Sequence, residues 1–313
     1  MLQKLKQAVK QAIGPRGLRA IRFAKSRAAY AKEQRYIARA EAANKKVGIR
    51  FIDIGGGLAV PPPGWRVADK HIGVIIDANT VLPFADRSLE LVYSSMFFEH
   101  IDNATAANLM KEIARVLKAD GTFRLIVPDF WLWLEKYRTG DIDYFLELQK
   151  DNPDLKTWSR LGVPIDIEHL LAWHIAAIHN KPHRLTNYPH LENPKADPPI
   201  FTFPHHFKLD GYYCGPAPEL TTADIRANFV AMSSTDFLEW IFAITSASKH
   251  QDPTFNSWHK NWWNPEKIRR FAQQAGLGEV KVSAFGHSAV PIPDTIEKEG
   301  HNRYGLYFDI AAT

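Results

Sequence analysis

A single cysteine, Cys214, among 313 residues excludes an internal disulfide and any thiolate metal cluster, and fits a reducing, cytoplasmic compartment. Long apolar runs are missing too: nothing approaches the roughly 18 uninterrupted apolar residues of a membrane-spanning helix. The first residues do not read as a secretory signal, because their apolar side chains alternate with Lys and Arg instead of forming one block. Acidic residues are scarce in one place. Over residues 1–49, thirteen Lys and Arg face only Glu33 and Glu41, so that stretch carries +11 and, against a total of +5, the remainder carries −6. Expectations about anionic partners therefore attach to this basic stretch and not to the body. The length exceeds one ordinary domain, which predicts one core with a substantial appendage.

Leu2, Leu5, Val9 and Ile13 recur at helical spacing with Lys4, Lys6 and Lys10 between them, a short basic amphipathic helix ended by Gly14-Pro15. A second helical stretch over 18–43 completes a basic helical arm, residues 1–46. Its apolar stripe, followed by Arg16, Arg19, Arg22, Lys25 and Arg27, matches a helix lying on an anionic bilayer, so residues 1–27 are a candidate membrane contact. The rival readings are packing on the body or a second subunit, and a nucleic-acid arm using Phe23, Tyr30 and Tyr36 between the charges.

At Gly48 the character changes. A mostly apolar strand over 49–54 runs into Gly55-Gly56-Gly57, and β-like runs follow at 66–68, 73–76, 89–93 and 122–127. Between the last two, a helix over 104–117 presents Leu109, Ile113, Val116 and Leu117 on one face, with Gly121 in the turn after it. Strand, glycine turn, strand, helix, strand is the order of a parallel sheet with crossovers. Pro61-Pro62-Pro63-Gly64 leaves no room for a full first crossover helix. Residues 131–257 hold no such alternation and read as a helical, loop-rich insertion, a candidate acceptor-binding cap over the core of 47–130. Residues 258–313 return to order: a helix from Pro265 stopped by Gly276, then strands at 279–285 and 303–310 closing the sheet as an antiparallel hairpin. The fold class is α/β, a Rossmann-like, mostly parallel sheet.

Glycines at the carboxyl end of a first strand let a ligand approach the backbone where open α/β sheets bind nucleotides. The dinucleotide fingerprint needs a further Gly or Ala three residues after Gly57; Val60 and the prolines stand there instead, which disfavours a dehydrogenase. A nucleoside without phosphates, such as S-adenosylmethionine, suits the turn better. Asp69, placed to accept two ribose hydroxyls, and Asp77, placed to accept an adenine amine, end the next two strands.

The run Phe51-Ile52-Asp53-Ile54-Gly55-Gly56-Gly57, then Gly64-Trp65 with Asp69, and Asp77 ahead of Leu82-Pro83-Phe84 and Ser88, resembles the class I methyltransferases. So do the run from Tyr93 to Glu99-His100-Ile101, the run Glu112, Arg115-Val116-Leu117-Lys118 and Gly121, and Val127-Pro128-Asp129. The sequence is most similar to small methyltransferases of the type 11 kind with a shortened first crossover, and His259, Trp262-Trp263 and Glu266 before the late helix resemble that group as well. The resemblance implies S-adenosylmethionine as cofactor. Asp53, Gly55, Gly56 and Gly57 would hold its methionine end, Asp69 the ribose, Asp77 with the Ala78 backbone the adenine, and Ser94, Ser95 and Met96 would flank the sulfonium.

Methyl transfer needs an acceptor in line with the methyl and, for a hydroxyl, a base with pKa near ~7. His100, Asp129 and His259 are the candidates, although Glu99-His100 can equally be read as capping a helix. No metal is expected: His169, His174 and His179 recur every five residues and share no helical face, and His205-His206 point opposite ways in an extended chain. The expected acceptor is a small molecule or glycan, with surface-polysaccharide synthesis as a setting and insertion tryptophans for sugar stacking. The alternatives are a nucleic-acid methyltransferase using the basic arm and an inactive fold acting as a binding module, which the intact Asp53, Asp69 and Asp77 set argues against.

Overall fold

In a computed structural model the described residues are 47–56, 61–69, 76–77, 79–148, 150, 166–176, 208–209, 212–213, 222–247, 259–297, 300 and 303–313, with Arg35, Ala38 and Ala42 in addition. The expected arm, Gly57, Val60, Ala78, most of the expected strand at 73–76, His179 and His205-His206 lie outside them.

Six strands make the central sheet: β1 (Phe51–Ile54), β2 (Trp65–Ala68), β3 (Leu89–Ser95), β4 (Leu117–Pro128), β7 (Val280–Ser283) and β8 (Gly305–Ala311), in the order β2-β1-β3-β4-β8-β7. Pairings among β2, β1, β3 and β4 are parallel; those of β4 with β8 and of β8 with β7 are antiparallel. Period-two alternation sorts the strand residues between two buried faces. Ile52, Ile54, Val92, Phe123, Leu125 and Phe308 face two helices, α1 (Asn103–Val116) and α7 (Pro265–Ala275), which offer Leu109, Met110, Ile113, Ile268 and Phe271. Leu91, Tyr93, Ile126 and Tyr307 face the other way and are covered by Phe285, Val290, Ile292 and Ile296. Arg124 of β4 is wholly buried on that second face, donating to Glu297 at 2.6 Å, to Asp309 at 3.3 Å, to the Ala284 carbonyl at 2.8 Å and to Ser283. A buried guanidinium demands such partners, and they bind the covering segment to the sheet.

Both helices stop and start where their sequences require. Asp102 caps α1 by accepting from the Thr105 N–H at 2.8 Å. Asn264 caps α7 through the Lys267 N–H at 2.8 Å, Pro265 occupies its first turn, and Gly276 closes it at φ +78°. Two expectations need correction. The helix ends at Val116, and Leu117 and Gly121 belong to β4, whose pairing with β3 is bulged between Leu89 and Leu91. There a Cβ on Gly121 would lie 2.9 Å from the Lys118 carbonyl. As expected, β7 and β8 pair antiparallel, and the segment between them covers the second face.

The stretch after β4 supplies α2 (Phe130–Arg138), α3 (Ile142–Leu148), α4 (Ile167–Ala176), the small pair β5 (Lys208–Leu209) and β6 (Tyr212–Tyr213), α5 (Thr222–Ala231) and α6 (Ser234–Ala247). The helices share a core of their own, built on Phe130, Trp133, Phe145, Leu171, Ile175 and Phe237. Among the described residues no helix is long and apolar enough to cross a membrane.

Candidate active site

Gly55 ends β1 at φ +83°, with its N–H on the Ala68 carbonyl at 2.9 Å. A Cβ there would lie 2.6 Å from the Phe97 ring, so both the backbone conformation and the space require glycine. At Gly56 a Cβ would run into the carboxylate of buried Asp53, which lies folded beneath the turn. A side chain at Gly56 would therefore require the Asp53 carboxylate to move. Asp69 follows β2 directly and is half-buried.

Asp77 is exposed and held in a turn: its carboxylate accepts from the Asn79 N–H at 2.8 Å and from the Thr80 hydroxyl at 3.3 Å. Ser94 is buried, and its hydroxyl donates to the Ile54 carbonyl at 3.0 Å, which ties β3 to β1 and leaves its backbone as the part facing the strand ends. Ser95 ends β3, and Met96 follows at φ +51°, its N–H on the Ile126 carbonyl at 2.9 Å. A non-glycine residue in the left-handed region is strained, and the strain lies directly at the carboxyl end of the central strand.

Beyond Met96 a single turn, Phe98–His100, precedes α1. Its Glu99 side chain is completely buried, and neither carboxylate oxygen has a hydrogen-bond partner. Burial pushes its pKa up to about 8. His100 Nε2 lies 3.8 Å from Glu99 Oε1, and the His100 and His259 ring centroids are 5.0 Å apart. His259 is buried, and its Nδ1 lies 3.0 Å from the Ile175 carbonyl of α4. A carbonyl can only accept, so Nδ1 carries the proton and Nε2 the lone pair. The chain brings these distant positions together through the Glu99 carbonyl, which accepts from the Lys260 N–H at 2.7 Å and the Asn261 N–H at 3.1 Å. Asn261 then donates to the Ile101 carbonyl at 3.2 Å and to Asn103 at 3.1 Å.

Of the three acid-base candidates, His100 and His259 thus meet. Asp129 serves as N-cap of α2, accepting from the Leu132 N–H at 2.9 Å, and burial raises its pKa. Glu99 completes the cluster and was weighed in the sequence only as a cap; α1 is capped by Asp102 instead. The readable signal was its place between Phe98 and Ile101, both buried, which puts a carboxyl inside an apolar run. His174 is a core residue, its Nδ1 on the Leu170 carbonyl at 2.8 Å and its ring packed against Trp133 and Phe145.

Residues 30–125 match the family model described as a methyltransferase domain. Over that stretch the chain is similar to the methyltransferase domain family. The match takes in β1 to β3, the glycine turn, Glu99 and His100, and ends inside β4; His259 and the insertion lie beyond it. No curated protein matches the sequence. Among solved structures, the complex between the Haloferax volcanii Trm112 methyltransferase activator and a methyltransferase is similar at 14% identity and a TM-score of 0.31, covering 90% of this chain and 92% of that one. Haemonchus contortus phosphoethanolamine N-methyltransferase 2 is similar at 12% identity and 0.32, over 88% of this chain and 52% of its own. Geranyl diphosphate C-methyltransferase from Streptomyces coelicolor A3(2) is similar at 21% and 0.19, over 29% and 45%. The chain thus spans about half the length of those last two, and superpositions this loose carry nothing about the acceptor.

Proposed function

We propose that this chain methylates a hydroxyl of a small molecule or glycan, bound between the carboxyl ends of β3 and β4 and the helices that follow. The observation that carries the reading is the glycine turn. Gly55 admits no side chain, Gly56 lies over the buried Asp53 carboxylate, and both stand at the sheet position where open α/β folds take a nucleoside. Such a cradle fits the aminoacyl end of S-adenosylmethionine, which when bound supplies a methyl group already activated by a sulfonium. Asp69 is placed for the ribose, and Asp77 for the adenine amine. The strained backbone at Met96, after Ser94 and Ser95, lines the place where acceptor and methyl would meet.

What remains for the protein is alignment and removal of one proton. His100 and His259, which meet at the carboxyl side of β3, are the acid-base candidates of this reading. Trp131 and Trp262 are half-buried and meet edge to face with ring centroids 5.2 Å apart, and Lys267 Nζ lies 4.0 Å from the Trp262 ring centroid, so these packed rings do not separate a glycan from another small acceptor. Calorimetry tests the reading: the protein should bind S-adenosylhomocysteine and not NAD(H). Binding of NAD(H) without S-adenosylhomocysteine would overturn it. For the basic arm we keep the anionic membrane surface as the proposed partner. Co-sedimentation with vesicles should rise with anionic lipid, fall with salt and vanish without residues 1–27, whereas an RNA shift under the same conditions would reassign the arm.

A further inference from the structure

We propose that Glu99, His100 and His259 form a binding site for one divalent transition cation, a two-imidazole, one-carboxylate centre. One possible ligand atom from each lies within 4.8 Å of the others. Two ligands at about 2.1 Å from one ion and a tetrahedral angle apart stand roughly 3.4 Å from each other. The 3.8 Å between His100 Nε2 and Glu99 Oε1 is close to that spacing and too long for the hydrogen bond a simple protonated pair would form.

Three further observations point the same way. A fully buried carboxylate whose two oxygens accept no hydrogen bond lacks the neutralising partner that burial demands, and a cation supplies one. His259 donates its Nδ1 proton to a backbone carbonyl, the arrangement by which metal-bound imidazoles are oriented and their Nε2 made available. The Lys260 and Asn261 N–H groups on the Glu99 carbonyl, with the Asn261 side chain on Ile101, fix the two halves of the site before any ligand arrives. Two imidazoles with one carboxylate suit zinc, cobalt or iron(II) better than magnesium or calcium. Three protein ligands also leave positions open for an acceptor oxygen. That use rests on the methyltransferase reading above; the binding of the ion does not.

The experiment strips the full-length protein with a chelator and titrates it with Co2+, read by visible absorption, and with Zn2+, read by calorimetry. One saturable equivalent per chain is expected for each ion. Glu99→Gln and His259→Gln, with folding checked by circular dichroism, should each weaken it on the order of 100-fold, the upper end of what losing even an outer-shell partner costs. Absence of a saturable equivalent, or equal affinity in wild type and both variants, would overturn the proposal, the latter by moving the ion elsewhere in the chain. A wild type that takes up Co2+ as expected but fails to bind S-adenosylhomocysteine would uphold the metal site and strike the cofactor reading instead.

Discussion

The two ends of the candidate site are built on opposite terms. At the glycine turn every feature is local and satisfied: φ +83° is met by Gly55, the Gly55 N–H by the Ala68 carbonyl, and the space over Asp53 by the absence of a side chain at Gly56. At the acceptor end, a completely buried Glu99 has neither oxygen hydrogen-bonded. It meets His259 only because the chain returns after the whole insertion. The first end is, on the proposed reading, a mould for the cofactor. The second holds charge in a place that disfavours it, the condition that shifts pKa values and recruits cations or protons.

The largest effect should come from breaking the mould. Gly55→Val must place a branched side chain at positive φ and against the Phe97 ring, 2.6 Å from the Cβ position. Left-handed strain and overpacking together cost about 3 kcal/mol, so S-adenosylhomocysteine should bind on the order of 100-fold more weakly. The Phe97 Cβ itself lies 2.7 Å from that position, so only Gly55→Ala combined with Phe97→Gly removes the clash while keeping the strain, and that double variant should recover part of the affinity. Undiminished binding by Gly55→Val would put the cofactor elsewhere.

The other end is sharpened by pH. The Glu99 carboxyl titrates near 8 when folded, against 4.5 in an unperturbed chain. Between those values the folded state keeps a proton that the unfolded state has lost. Stability of the metal-free protein therefore falls as pH rises, by about 1.4 kcal/mol per unit, and the loss is complete above the folded pKa. Glu99→Gln carries no such proton. It should match wild type near pH 4.5 and gain steadily on it up to pH 8 in chemical denaturation with chelator present. Parallel curves for the two proteins would mean that Glu99 ionises freely and that the contrast between the two ends is false.

That contrast also explains what the sequence made legible. The helix start at Pro265, the stop at Gly276, the strand ends at Asp53 and Asp69 and the parallel order of the core are decided within a few residues, and short-range patterns report them. The bulge at Gly121 was hidden because its cause is a pairing across to Leu89 and Leu91. Glu99 was read as a cap for the same reason. Its burial depends on His259 and α4, which no local spacing places beside it.

The smallest effect belongs to Asp77, where two physical roles compete on one carboxylate. As a turn residue it accepts from the Asn79 N–H and the Thr80 hydroxyl, and its loss costs about 1 kcal/mol of stability, as for similar side-chain caps. As an adenine ligand it would lose a hydrogen bond to the nucleoside as well, worth about 1.4 kcal/mol, or tenfold in affinity. Asp77→Ala measures the sum, and Asp77→Asn separates the parts. Asn keeps an oxygen that can accept from the Asn79 N–H, so stability should return to wild type. The amide oxygen accepts from an adenine amine more weakly than a carboxylate, so affinity for S-adenosylhomocysteine should recover only in part. If both variants bind with wild-type affinity while Asp77→Ala alone is less stable, Asp77 is a turn residue only, and the adenine must be held by another part of the chain.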